Sequence, residues 1–333
     1  MLRIVNLLGA FMTFIAAAAI AQTANTVRVP SSIGNLNLNL MHVAASGPKR
    51  GRAVLFIQGA TFPSANASGW KFNGRSWMDE VAAAGYEVYA LDFLGYGASD
   101  RFPELDNDSP AGNPLGDVAS MVRQIEAACD YIRRVQSIKT VNIVAHSAGS
   151  FAAARFAQWH ADRVDRLVLF AAPVPYENPK GGTAGPAVRY VEVGREEQLH
   201  GFESKVRDTR QLDPVMFDTW IQAYLATDAR SASKTPPSVR VPAGMLAALE
   251  DVQRTGRLPY DPAKIVVPTL LIQGEWDAVA PPAAGLWLYS RLASPLKRFV
   301  LISQAGHRAH LERNRWQLYR ETESFLNGGD MAR

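Results

Sequence analysis

The feature that most constrains the fold is a series of short, unbroken apolar runs, most of them ended by glycine or a small-residue turn. "RAVLFIQG", "YEVYALDFLG", "TVNIVAH", "VDRLVLFAAP" and "VPTLLIQG" are such runs, and "KRFVLIS" is the last. A strand with one wet face alternates apolar and polar residues. An unbroken run is what a strand buried on both faces needs, as in a parallel sheet sandwiched between helices. The residues between the runs carry helical signals. "SWMDEVAAAGY" predicts a helix closed by Gly85, and residues 117–136 hold apolar positions at helical spacing. "LNLNLMHVA" alternates, as an early, half-exposed strand does. Strands alternating with helices place the chain in the α/β class, with a mostly parallel, doubly wound sheet.

Two stretches depart from this alternation. Residues 174–262 show no buried-strand pattern. They offer "AVRYVEVGREEQLHGF", "DPVMFDTWIQAYLA" and "PAGMLAALEDVQRTG" as helical segments. A structureless loop of that size is rare in a compact domain, so a helical insert is expected, with the core built from residues 22–173 and 263–333. The chain begins "MLRIVNLLGAFMTFIAAAAIAQTANTV", with Arg3, an apolar stretch and the triplet Ala19-Ile20-Ala21. That order is expected of a signal peptide over residues 1–21, cut before Gln22, and so of a secreted or periplasmic protein. An uncleaved anchor is the alternative, but the stretch is short for a membrane span, and nothing later in the chain has the pattern of one.

Composition closes other routes. The one cysteine, Cys129, excludes an internal disulfide, and no cysteine–histidine cluster has zinc spacing. Cys129 sits in a helical pattern and is expected to pack. The net charge of +4 is scattered: Arg133 and Arg134 share a helix with Glu126 and Asp130. No basic stripe or stacking motif for nucleic acid appears.

The chemistry centres on "AHSAG", residues 145–149, between a buried strand and a helical run. It is nearly G-x-S-x-G, the strand–turn–helix motif that exposes a nucleophilic serine. Strand and helix crowd the positions two before and two after the serine. Gly149 meets that need. Ala145 adds one methyl group without breaking the motif. A serine hydroxyl needs a base, and the base an orienting acid. His307, in "QAGHRAHLE", follows the last strand. Asp277, in "IQGEWDAVAP", follows the strand before it. Carboxyl ends of parallel strands share one rim, where sites form. Glu275 stands beside Asp277 as a rival acid, and His310 beside His307 as a rival base. His146 is expected to point elsewhere, and Asp92 and Ser99 to be structural.

These blocks, with "FIQGA" and "LDFLGYGASD", resemble the α/β-hydrolase superfamily over residues 35–327, the insert matching the helical cap of many members. The resemblance implies Ser147 as nucleophile, His307 as base and Asp277 as acid. The oxyanion would be bound by the backbone N–H groups of Ala148 and Ala60. Relatives have His-Gly where this chain has Gln58-Gly59, and Thr61 is a further candidate. The expected activity is hydrolysis of a small-molecule ester, with lactone, amide or carbon–carbon cleavage as alternatives and no metal or organic cofactor. Dehalogenases and epoxide hydrolases of this fold carry aspartate where this chain has Ser147. The Gly-Gly-x-Gly stretch of aminopeptidase relatives is missing. A non-catalytic binder on the same fold is the rival of another class. Phe217, Trp220 and Tyr224 fall on one helical face of the insert and are expected mainly to pack, with Tyr190 a further aromatic there.

Overall fold

The computed structural model describes residues 24–176, 181–202 and 211–328. The expected signal segment, part of "ENPKGGTAGP" and residues 203–210 lie outside the described residues. The chain enters through β1 (Asn25–Pro30), an edge strand ahead of the expected series, and β2 (Asn37–Val43). Then come β3 (Ala53–Ile57), α1 (Trp77–Ala83), β4 (Glu87–Asp92), α2 (Val118–Gln136), β5 (Val141–His146), α3 (Gly149–Trp159) and β6 (Val164–Phe170). A departure from the sheet follows: β7 (Tyr190–Gly194), α4 (Arg195–His200), α5 (Pro214–Leu225), β8 (Ser238–Pro242) and α6 (Gly244–Thr255). The chain returns with β9 (Thr269–Gly274), α7 (Pro282–Arg291), β10 (Lys297–Ile302) and α8 (Arg315–Leu326).

The main sheet has the order β1-β2-β4-β3-β5-β6-β9-β10. Every pair from β4 to β10 is parallel, and only β2 runs against both its neighbours. Burial on both faces explains the unbroken runs of β3 to β6 and β9; "KRFVLIS" departs from the expectation, because β10 is the edge strand, with Leu301 exposed and only Ile302 buried. Ala53, Leu55 and Ile57 of β3 point into one core, while Val54 and Phe56 point into the other. Leu167 and Leu169 of β6 divide from Val168 and Phe170 in the same way. Helices α2, α3 and α7 cover the first core through Ile125, Phe151 and Leu288. Helices α1 and α8 cover the second through Met78, Leu318 and Phe325. Each such side chain is worth about 1.5–3 kcal/mol on burial.

Local signals set the helix ends. Ser76 caps α1 in a reciprocal box with Asp79, and Gly85 beyond its end takes φ 95°. The Asp117 carboxylate accepts from Ser120 N–H at the start of α2. Cys129 is fully buried in that helix, and burial pushes its thiol pKa up, so it packs.

The helical expectation holds for α5 and α6 but fails for "AVRYVEVGREEQLHGF", which splits into β7 and α4. β7 pairs antiparallel with β8 as a separate two-stranded sheet. Its burial does not alternate cleanly: Tyr190, Val193 and Gly194 are buried, while Glu192 is exposed and pairs with Arg240 of β8 and with Lys234. Among the described residues no helix is long and apolar enough to cross a membrane.

Candidate active site

Ser147 directly follows β5 and takes φ 50°, a left-handed conformation that costs a non-glycine residue energy. Its surroundings enforce it. Ser147 N–H donates to the Phe170 carbonyl of β6 at 2.9 Å, and Ser150 N–H donates to the Ser147 carbonyl at 2.8 Å. A Cβ at Gly149 would lie 2.1 Å from the Gln58 carbonyl oxygen, so strand-to-helix crowding demands glycine there. Ala145 is different. It sits within β5 opposite Ile57 and Leu169, with its methyl group buried in the core.

Asp277 follows β9 and His307 follows β10, on the same rim as Ser147. The Asp277 carboxylate is fully buried and accepts from Val279 and Ala280 N–H at 2.8 Å each. It also accepts from His307 Nδ1–H at 2.9 Å. A carboxylate can only accept, so Nδ1 carries the proton and Nε2 presents a lone pair. Ser147 Oγ–H donates to that lone pair at 2.8 Å. The three residues therefore form an unbroken relay able to move the hydroxyl proton onto an imidazole whose positive charge a buried carboxylate would offset.

The loop after β3 runs against this relay. A Cβ at Gly59 would lie 3.1 Å from Ser147 Cβ, and Thr61 takes φ 80°. Among the described residues no backbone carbonyl takes up the N–H of Ala60 or Ala148, which leaves both donors available. The Thr61 hydroxyl instead accepts from Gln198 Nε2–H of α4 at 3.2 Å. Asp92 and Ser99 are structural. Asp92 accepts from Asn39 Nδ2–H and the N–H of Ser64 and Ala98, while Ser99 Oγ–H donates to the Asp92 carbonyl.

The rivals lie elsewhere. Glu275 accepts from Ser303 Oγ–H and Gln304 N–H. His310 stands in a single 3-10 turn, Ala309–Leu311, rather than within α8, and its ring is buried among Phe62, Trp77 and Phe170. The Phe217–Trp220–Tyr224 stripe is buried, and Trp220 Nε1–H donates to the Asn66 carbonyl at 2.8 Å, so it packs α5 on the core. Tyr190 is buried too, its hydroxyl donating to the Asn107 carbonyl at 2.6 Å.

Three supports escaped the sequence reading, although all stand in quoted blocks. His146 Nε2–H donates to the His307 carbonyl at 2.9 Å. Arg308 is buried against Phe62 and Phe202 and donates to the Gln198 carbonyl at 3.0 Å, tying the His307 loop to α4. Burial pulls its pKa down to about 10. Glu312 accepts from Gly306 N–H at 2.8 Å, and burial pushes its carboxyl up to about 7. The sign follows from linkage. The folded chain holds this proton more tightly than the unfolded one, so the associated stability is complete below about pH 4.5 and is lost as pH rises toward 7. Glu312→Gln keeps an acceptor for Gly306 but cannot ionise. Denaturation at several pH values should show the parent losing stability relative to the variant across that window, and no further change above it.

The family model described as serine aminopeptidase, S33 (Hydrolase_4) matches residues 73–314, well over half of the chain. The chain belongs to this α/β-hydrolase family. Among curated relatives, epoxide hydrolase 3 of Xenopus tropicalis is 27% identical over 277 residues, covering 80% of this chain and 69% of its own. The 2-hydroxy-6-oxononadienedioate/2-hydroxy-6-oxononatrienedioate hydrolase of Paraburkholderia xenovorans (strain LB400) is 26% identical over 308 residues, 88% of this chain and 91% of its own. A thermophilic esterase of Thermogutta terrifontis superposes with a TM-score of 0.59 at 17% identity, over 92% of this chain and 99% of its own, and shares the fold. Hydrolase relatives along most of its length make this α/β-hydrolase a hydrolase.

Proposed function

We propose that this hydrolase is an exported serine esterase that cleaves small carboxylic esters through an acyl-enzyme at Ser147. One observation carries the reading: the Asp277–His307–Ser147 relay, with hydrogen bonds of 2.9 and 2.8 Å. Ser147 Oγ attacks the carbonyl as His307 Nε2 takes its proton, and Asp277 holds the imidazolium. The N–H groups of Ala60 and Ala148 receive the oxyanion. His307 returns the proton to the leaving alcohol, then draws one from the water that releases the acid. Residues 174–262 act as a cap over the rim, with α4 bound to Thr61 and the Arg308 loop.

A second reading, hydrolytic carbon–carbon cleavage by the same serine, draws support from the Paraburkholderia relative, which aligns over 91% of its own length. Epoxide opening is disfavoured because serine, not aspartate, occupies the elbow.

A fluorophosphonate probe is expected to modify Ser147. A panel of p-nitrophenyl esters, lactones, amides and vinylogous diketones should then show esters turned over fastest. A folded protein whose Ser147 took no label would sink the hydrolytic serine. A diketone outrunning every ester would move the assignment to carbon–carbon cleavage. Export rests on "LLGAFMTFIAAAAIA"; mature protein from an exporting cell should begin at or near Gln22, and N-terminal sequencing that finds Met1 retained overturns it.

A further inference from the structure

Beside the turn that carries Ser147 lies a small cavity of about 20 Å³, bordered among others by Gln58, Trp77, His146 and His310. Each of these four is more than nine-tenths buried. All but one of their side-chain polar atoms are unspent. Both amide atoms of Gln58, Nδ1 of His146, both ring nitrogens of His310 and Nε1 of Trp77 make no hydrogen bond to a protein group. An apolar hole of this size stays dry, but a hole of at least about 10–15 Å³ with two to four polar partners holds a water.

His146 gives that water a task. The His307 carbonyl can only accept, so His146 Nε2 carries its proton. Burial pushes both His146 and His310 far below the usual histidine range, so both rings are neutral. Nδ1 of His146 then bears a lone pair that needs a donor, and the cavity is where one fits. Resting on the serine-hydrolase reading, we propose that the cavity is a site for one buried water, which fixes His146 in the Nε2–H tautomer, and that His146 is thereby a positioning residue for His307. The residue next to Ser147 grips the main chain of the base. Errors in the Ser147–His307 approach are limited at the point where a small displacement costs most. Gln58, where relatives carry histidine, supplies the far wall.

Packing alone would also explain a ring 4.9 Å from Phe170, so the test separates packing from the hydrogen bond. The readout is the rate at which a fluorophosphonate modifies Ser147, which needs no known substrate, with Tm measured alongside. His146→Phe keeps the ring and loses the N–H; it is expected to slow labelling at least about tenfold with probe affinity unchanged. His146→Gln restores an N–H of similar reach and should return to within about threefold of the parent. Should the phenylalanine variant not fold, Gln58→Met empties the cavity of an amide without touching the His146–His307 bond and is expected to slow labelling too. Neutron diffraction should place one water at His146 Nδ1 and hydrogen on Nε2. Hydrogen on Nδ1, a cavity without water, or variants that label as fast as the parent overturn the proposal. A parent that takes no label overturns instead the hydrolase reading beneath it.

Discussion

Ser147→Ala and His307→Ala are each expected to lower kcat toward an ester by at least about a thousandfold, and the double variant to be scarcely worse than either. The relay explains the non-additivity. Without His307 Nε2 the Ser147 hydroxyl keeps its proton, and without Ser147 the imidazole has nothing to activate. Asp277→Asn should cost less than either. The asparagine oxygen can still accept from Val279 and Ala280 N–H, so the loop holds. What is lost is the charge opposite His307 and, with an amide N–H facing Nδ1, the right tautomer. Glu275→Gln is the control. It accepts from Ser303 Oγ–H and Gln304 N–H, neither of them a member of the relay, so activity should stay within roughly tenfold, about 1.4 kcal/mol of barrier. Steady-state kinetics on the best ester of the panel, with circular dichroism for folding, decide it. Full activity in a folded Ser147→Ala would remove the serine from the mechanism.

The sequence spoke most clearly where burial has two sides. β3 to β6 and β9 are flanked by helices on both faces, so their residues run apolar without a break, and periodicity alone places them. The relay is legible for a related reason: Ser147, Asp277 and His307 each follow such a run, and the ends of parallel neighbours share a rim. β1 and β7 were missed because each depends on a partner the local pattern does not name. β7 is only five residues long, has no clean alternation of burial and is fixed by β8, beyond α5, while the flanking "GREEQLH" has a helical pattern that the whole stretch shares. The supports of the site were hidden similarly. Nothing in "AHSAG" tells that its histidine reaches a carbonyl 161 residues onward. Glu312 looks like an ordinary charged residue of a helical run until the turn after His307 folds it under Gly306.

Gly149 and Ala145 of "AHSAG" should respond very differently to substitution, because different things crowd them. Gly149→Ala places a Cβ 2.1 Å from the Gln58 carbonyl oxygen, well inside contact distance, and 3.1 Å from the carbonyl carbon. The obstacle is main chain, not the end of a flexible side chain, so the backbone itself has to yield. Two routes are open. If α3 shifts outward, Phe151 and its neighbours leave a core packed on both sides, at a cost near the upper end of overpacking, roughly 3 kcal/mol. If the Gln58 strand end shifts instead, Gly59 and Ala60 move with it, and the donor expected to face the oxyanion leaves its place. Denaturation and kinetics together are therefore expected to show a lower Tm, or a rate lowered by at least about a hundredfold in whatever remains folded. Ala145→Gly removes a methyl group within a strand of ordinary backbone, where it costs some packing and some chain entropy, about 1 kcal/mol. The elbow stays intact, and activity should remain within roughly tenfold of the parent. A Gly149→Ala variant as stable and as fast as the parent would show that the turn has slack the 2.1 Å approach denies. An inactive but folded Ala145→Gly would show that the methyl group takes part in shaping the site rather than merely fitting beneath it.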